Sequence, residues 1–447
     1  MRRVALMNIE QKKREIYDPF NAYFTENFNY KPEKNSLLDI SNARRWFRNI
    51  NEATQNSVYT YQQAMEEKSG PIVKINGRDM FMLSSYDYMG LIGNQDIENA
   101  SIDAVKKFGT GTGGVRMLTG TTTLHKELET EIARFKGTED ALTFTSGYMA
   151  NLSVISALMG KSDRILADAK IHRSLSDALD LAGVSYKRFI HNCPDDLERM
   201  LQMPTDASRT FIIIEGVYSM DGDICPLPEM IALKNKYNAF LVVDEAHSFG
   251  MLGPNGKGID DYFGIDPNEI DIITGSLGKT IPSSGGFVTG KRDTMIYLQH
   301  GAAPFMFSAA LCPPAVASAI EGLRVIQNEP ERLNILRRNT RYLRTELKDM
   351  GYNTGDSVTP IIPVILGEND FTLSIAKQLY ELNILAIPVV FPAVAKGQAR
   401  LRLCATSSQS IEMLDQIIIA FEKVAIENNI SKKDYGISEL LNNSSVE

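Results

Sequence analysis

Between residues 141 and 244 short apolar runs alternate with helix-like stretches, and this alternation narrows the possible folds more than any other feature. ALTFT from Ala141, ILAD from Ile165, FIIIEG from Phe211 and FLVVD from Phe240 read as buried strands. HRSLSDALDLAG and PEMIALKNKY lie between them as helices, and upstream Leu124, Leu128, Ile132 and Phe135 share one helical face. Such a βαβ series predicts an α/β fold with a mostly parallel central sheet and helices on both faces. Ligands of open sheets of this kind sit beyond the carboxyl ends of the strands.

The flanking segments divide the chain further. Residues 1–70 are polar and aromatic, with DPFNAYFTENFNY followed by helix-like stretches through Trp46 and Tyr61. Too poor in aliphatic residues for a core of their own, they read as an arm lying across another surface. IVKI and MFML flank Asn76-Gly77, a pair suited to a type I′ hairpin turn, and the large domain is expected over residues 71–312. From Pro313 a long helical region, with a break at Glu329-Pro330, leads into a smaller α/β domain that ends near residue 428. Its strands are expected at IIPVIL, LAIPVV and ARLRL, and its helices around 372–382 and 411–425; residues 429–447 form a polar tail.

The stretch DIITGSLGKTIPSSGGFVTG, residues 271–290, carries Lys279 just beyond a short strand, inside a turn rich in glycine and serine. A lysine held in a partly dry site loses its charge readily, and the neutral amine forms a Schiff base with an aldehyde. Asp244 ends FLVVD, with one further strand expected between it and the strand of Lys279. A lysine for the aldehyde and an acid to keep a ring nitrogen protonated are the pair that pyridoxal 5′-phosphate needs. Ser146, Gly147 and Tyr148 open a helix directly after ALTFT, where backbone amides suit a phosphate, and Ser276 offers a hydroxyl nearby. His172, just after the strand ending in Asp168, and His247 in DEAH are placed either to serve such a ring or to be structural. Arg400 and Arg402 alternate in ARLRL on one face of a strand, and one arginine facing a cleft is a ready fork for a substrate carboxylate.

Composition excludes other classes. A net charge of -8 and a pI near 5.4 leave no basic footprint for nucleic acid. DEAH with GSLGKT superficially matches a nucleotide-hydrolysing pair, but Ile273 stands where the phosphate loop needs glycine, Pro282 disturbs the following helix, and the two motifs come in reverse order. GTGTGG at residues 109–114 lacks phosphate-loop spacing as well. The four cysteines, Cys193, Cys225, Cys312 and Cys404, form no CxxC pair and read as reduced thiols, with no metal site. No run approaches the roughly 18 apolar residues of a membrane span, so a cytoplasmic protein is expected.

Taken together, SSYDYMGL, GTGTGGVRMLTGTTTLHKELE, FTSGYMANLSVISALMG, EGVYSMDGDICPLPEM, VVDEAHSFGMLGPNGKG, GSLGKTIPSSGGFV and GQARLRL resemble the α-oxoamine synthases, a group of the fold-type I pyridoxal phosphate (PLP) enzymes. The resemblance spans roughly residues 72–425. It implies that Lys279 holds the cofactor covalently, Asp244 pairs with its ring nitrogen, His172 stacks on the ring and His247 contacts the phenolic oxygen, with Ser219 nearby. It implies phosphate contacts from Gly147, Tyr148 and Ser276, and from Ser308 donated across a homodimer with shared active sites. Arg402, rather than Arg400, matches the family's carboxylate-binding arginine. The implied reaction is a decarboxylating condensation of a small amino acid with an acyl thioester, releasing coenzyme A and giving an α-amino ketone.

Within the group the motifs look most like serine palmitoyltransferases, which implies serine, a long-chain acyl-coenzyme A and a place in sphingolipid biosynthesis. Tyr86 stands where glycine- and alanine-using relatives carry asparagine. Val390 replaces an arginine of some serine-using members, Ala310 replaces a small hydroxyl residue, and KGQARLRL resembles the glycine-using ligases. A glycine- or alanine-using synthase and a fold-type I aminotransferase therefore stand as alternatives. Delivery by an acyl carrier protein and peripheral membrane contact through the arm are left open.

Overall fold

In the computed structural model, residues 30–431 are described. DPFNAYFTENFNY, apart from its final Tyr30, and most of the polar tail lie outside them. The hairpin forms as expected: β1 (Ile72–Ile75) and β2 (Arg78–Met82) turn at Asn76 and Gly77, both with positive φ. Its partner was not foreseen. β2 pairs in parallel with a two-residue strand at Ile384–Leu385, so the hairpin expected to open the large domain is hydrogen-bonded to the C-terminal region. Among its described residues the arm has one helix, Ser41–Gln55, and the helical reading around Tyr61 fails because the chain there is irregular.

Seven strands make the central sheet: β3 (Asp140–Phe144), β4 (Arg164–Asp168), β5 (Tyr186–Phe189), β6 (Thr210–Glu215), β7 (Phe240–Asp244), β8 (Ile272–Ser276) and β9 (Gly286–Gly290). Their order is β3-β9-β8-β7-β6-β4-β5, and only β9 runs antiparallel to its neighbours. Successive side chains of a strand point to opposite faces, and the strands exploit this fully. Leu241, Val243, Ile212, Ile214 and Ile273 enter one core, while Val242, Ile213 and Ile272 enter the other. With both faces covered, the strands read as continuous apolar runs, and what remains for a ligand is the carboxyl edge. Strand β8 follows β7 directly in the chain and in the sheet, so the intervening strand anticipated between Asp244 and Lys279 does not exist.

Beyond the sheet the break at Glu329-Pro330 separates helices Pro313–Asn328 and Glu331–Met350. A second sheet follows, with β10 (Ile361–Gly367), β12 (Pro388–Val389) and β13 (Ala399–Cys404) in the order β10-β13-β12; β11 (Ile384–Leu385) is the strand that joins the hairpin. The apolar run LAIPVV thus splits between two sheets. Helices Asn369–Glu381 and Ile411–Glu427 cover the second sheet, with Ile375, Leu379, Leu414, Ile417 and Phe421 packing on Ile362, Val364, Leu401 and Leu403. No helix among the described residues is long and apolar enough to cross a membrane.

One buried ion cluster ties the helix before β3 to the loop after β7. The Lys136 ammonium lies 2.7 Å from the Glu245 carboxylate and 2.8 Å from the Lys257 carbonyl, and also contacts Asp260; none of the three charged side chains is more than 3% exposed. Gly258 is required beside it. Its φ is +129°, and a Cβ there would lie 1.8 Å from Glu245 Oε2. Removing the cation leaves two buried carboxylates without their counter-charge, so Lys136→Met is expected to cost about 3–5 kcal/mol of unfolding free energy. Urea denaturation of the variant tests this, and a change below about 1 kcal/mol would show the cluster to be energetically idle.

Candidate active site

The carboxyl edge of the sheet brings Glu215, Asp244 and Thr274 side by side, because β6, β7 and β8 pair in the register Glu215↔Asp244↔Thr274. Asn151 orients the middle carboxylate. Its Nδ2 donates to Asp244 Oδ2 at 2.7 Å, and its Oδ1 accepts from the Thr274 hydroxyl at 2.7 Å, so the amide has one orientation only. The Ala246 amide donates to Asp244 Oδ1 at 2.8 Å. Glu215 is different: it is buried, with Oε1 unpartnered, and burial with Asp244 beside it pushes its carboxyl well above the usual range. Two neighbouring acids are therefore differentiated, with Glu215 pushed upward by burial and Asp244 supplied with donors.

Lys279 lies three residues past the end of β8. Burial lowers its pKa from 10.5 to about 8. Its Nζ is 3.0 Å from His247 Nε2, and His247 Nδ1 is 2.9 Å from the Tyr88 hydroxyl. Burial, with Lys279 and Arg402 nearby, pushes His247 well below its ordinary range. A neutral imidazole whose Nε2 accepts from the lysine must carry its proton on Nδ1, and so donates to Tyr88. The chain of contacts continues to Arg402, whose Nη2 lies 3.4 Å from the same hydroxyl.

Arg402 and Arg400 both reach the turn after β6, and both are buried rather than solvated. Arg400 is committed to Asp221, at 2.7 Å. Arg402 donates through Nε to the Ser219 carbonyl at 2.5 Å and through Nη1 to Cys404 Sγ at 2.9 Å, and among the described residues it has no carboxylate partner. The Tyr86 ring packs against its guanidinium at 4.8 Å, stands edge-on to His247 at 5.7 Å, and lies 6.0 Å from Lys279 Nζ. Ser219 thus enters the site through its carbonyl, not its hydroxyl.

Gly147 heads the helix Gly147–Leu158, capped by the Ser146 hydroxyl on the Met149 amide at 3.2 Å. The backbone approaches are close here. A Cβ on Gly286 would meet the Gly147 nitrogen at 2.4 Å, and one on Gly147 would lie 3.4 Å from Ser276 Cβ. The Tyr148 hydroxyl donates to Asp177 at 2.6 Å, so its side chain is engaged with the next helix. His172 caps the next helix, with Nδ1 2.7 Å from Ser174 Oγ, and Ser174 also receives Asn151 Nδ2 at 2.9 Å. Ser308 is not brought in. It follows helix Ala303–Phe307 beside Ala309, which bridges to Val115, and makes none of these hydrogen bonds.

A depressed lysine, an oriented carboxylate two strands of edge away from a helix N-terminus, and a serine beside that terminus fit a phosphorylated aldehyde with a basic ring nitrogen. Four contributors were not singled out from the sequence: Tyr88, Asn151, Glu215 and Cys404. The first three lie within motifs already recognised, but only the sheet register and the hydrogen bonds show what they touch.

Residues 78–421 match the family model for aminotransferase class I and II. An 8-amino-7-oxononanoate synthase of Thermoanaerobacter pseudethanolicus is 40% identical over 382 residues, which cover 85% of this chain and 96% of that protein. A serine palmitoyltransferase of Bacteroides thetaiotaomicron is 37% identical over 361 residues, covering 81% and 91%. Among solved structures, the Sphingomonas wittichii serine palmitoyltransferase superposes with a TM-score of 0.84 at 33% identity, covering 89% of this chain and all of that one. A serine palmitoyltransferase structure holding PLP gives 0.84 at 32% identity, covering 88% and 100%. With this likeness over most of its length, the chain belongs to the aminotransferase class I and II family and, within it, to the PLP-dependent α-oxoamine synthases, which are acyltransferase-type enzymes.

Proposed function

We propose that this enzyme condenses serine with a long-chain acyl-coenzyme A, losing carbon dioxide and coenzyme A to give an α-amino ketone. The observation that carries the reading is the pairing of Arg402 with Tyr86. The arginine is buried without a carboxylate of its own, so an incoming amino-acid carboxylate is its missing partner, and the tyrosine ring walls the place where a small side chain would lie. Asp244 would pair with the cofactor's ring nitrogen, His172 would cover its face and His247 would contact its phenolic oxygen. The Gly147 and Tyr148 amides and Ser276 would hold its phosphate. When bound, PLP supplies an electron sink for the pair left at the substrate α-carbon.

Each protein group then has a separate task. Arg402 orients the carboxylate; Lys279, whose pKa is lowered to about 8, takes the α-proton on Nζ; His247, neutral and hydrogen-bonded to Tyr88, keeps that amine in place. The α-carbon bonds to the thioester carbonyl carbon, the carbon–sulfur bond breaks to release the thiol, and the carboxylate leaves as carbon dioxide. A cleft of about 580 Å³ opening onto Lys279 between Tyr86, Leu91, Ile92, Ile97 and Pro282 offers the acyl donor a partly apolar entrance. Exposed Met117, Leu118 and Phe307 flank the Val115↔Ala309 bridge and support a homodimer in which Ser308 serves the partner's site.

A glycine- or alanine-using synthase is the second reading, favoured by the identity to 8-amino-7-oxononanoate synthases. Titrating the PLP-loaded protein with serine, glycine, alanine and threonine, each followed by palmitoyl-coenzyme A, separates the two by absorption. Serine is expected to perturb the cofactor band and the thioester to perturb it further. A response to alanine alone would replace serine as donor, and indifference to every thioester would sink the condensation. Lys279→Ala should lose the borohydride-reducible link to the protein and about 10²–10⁴-fold in turnover.

Two further outcomes follow from the geometry. A lysine depressed to about 8 is neutral in roughly one molecule in ten at pH 7, so covalent PLP uptake by the apoprotein should rise with pH and level off just above 8. A profile still rising toward 10 would mean that Lys279 is not desolvated in solution. Tyr86→Asn removes the ring from Arg402 and opens the wall. KM for serine is expected to rise about tenfold, with a smaller effect on alanine, as steady-state kinetics would show.

A further inference from the structure

Away from this site, helix Glu331–Met350 carries Arg337, Arg341 and Arg344 along one wall of a cleft of about 450 Å³. The opposite wall comes from the loop 251–254 and from residues 358–360, which lead into β10. Spacings of four and three residues place the three guanidinium groups on one helical face. No aspartate or glutamate lines the cleft, and none of the three has a carboxylate partner among the described residues. Two other arginines of this helical region are paired, Arg332 with Glu329 and Arg324 with Glu127 and Glu321, while Arg338, outside the cleft, bonds to Asn339 Oδ1.

The bonds that the three do make are to neutral acceptors. Arg337 donates to the Gly253 carbonyl, Arg344 donates to the Ser357 carbonyl at 3.0 Å, and Arg341 donates to none of the described residues. A second observation points the same way. Thr340 lines the cleft and is only 4% exposed, yet its hydroxyl has no hydrogen-bond partner among the described residues. A buried hydroxyl of this kind is costly unless something in the cleft satisfies it. Arg344 is pushed below its ordinary range by burial and by Arg341, as expected of cations crowded without counter-charge. Met251, Leu252, Val358, Pro360 and Tyr262 complete the walls with apolar surface.

We infer that this cleft is a binding site for a small phosphomonoester, its phosphate held by Arg337, Arg341, Arg344 and the Thr340 hydroxyl, its organic part against the apolar wall. Guanidinium groups match phosphate geometry, and several with free N–H groups around one cleft suit a dianion better than a single carboxylate. The assignment does not rest on the reaction proposed above.

Calorimetry on the full-length, PLP-loaded protein tests it, with inorganic phosphate and then 5′-AMP as probes, in 150 mM sodium chloride. Saturable phosphate binding is expected, with 5′-AMP tighter. Arg341→Ala, which removes an exposed side chain without partners, should weaken both about tenfold or more, and Thr340→Val should weaken both to a lesser degree. Absence of saturable binding overturns the site. So does an isotherm identical in wild type, Arg341→Ala and the double variant Arg341→Ala/Arg344→Ala, because the anion would then be bound elsewhere.

Discussion

Desolvation of one amine is the constraint on which the rest of this structure turns. Lys279 is half-buried at a sheet edge, beside a histidine that cannot neutralise it and within the field of Asp244. Burial lowers its pKa, and Asp244 and Glu215 moderate the drop, so the value settles near 8. The two acids beside it are held differently. Asn151, locked by Thr274, donates to Asp244, while Oε1 of Glu215 has no hydrogen-bond partner among the described residues.

The placement of Arg402 depends on contacts between the two sheets. Strand β13 belongs to the smaller one, yet Arg400 and Arg402 both close on the turn after β6 of the larger one. Asp221 neutralises Arg400 and leaves Arg402 with a carbonyl, a thiol and a phenol. Thr359 adds a hydrogen bond to the Gly222 carbonyl at 2.9 Å, and the Cys404 amide donates to the Leu83 carbonyl at 2.7 Å. Any movement of one sheet against the other would therefore shift the arginine relative to Lys279. Precise placement of this kind is where such a site gains or loses rate. The arginine-lined cleft on helix Glu331–Met350 lies along the same seam, between loops of the larger sheet and the segment entering β10.

Much of this was legible in the residues. Local patterns announced the strands β3, β4, β6, β7, β10 and β13, and the motifs around Lys279, Asp244 and Gly147 announced the cofactor, because each depends on neighbours a few positions away. The misses were of two kinds: a helix around Tyr61 and an extra strand before Lys279 that local patterns suggested and the fold lacks, and partners that lie far away in the chain. The hairpin at Asn76-Gly77 was read correctly as a hairpin, but its partner strand was not foreseen, since it lies about 300 residues downstream and carries only two residues. Arg400 and Arg402 were correctly put on one face, but spacing says nothing about which of them meets Asp221.

By itself, then, the sequence determined the α/β class, the lysine–aspartate pair and the family, all of which are written in short-range apolar periodicity and in residue types at fixed spacing. Only the tertiary structure decided which arginine meets a carboxylate, which acid has its pKa pushed up by burial, how far the lysine is depressed and where Tyr88 and Asn151 act. Those properties arise from burial and from hydrogen bonds between distant segments. A charge is strong or weak according to what surrounds it in space, and no local pattern encodes that environment.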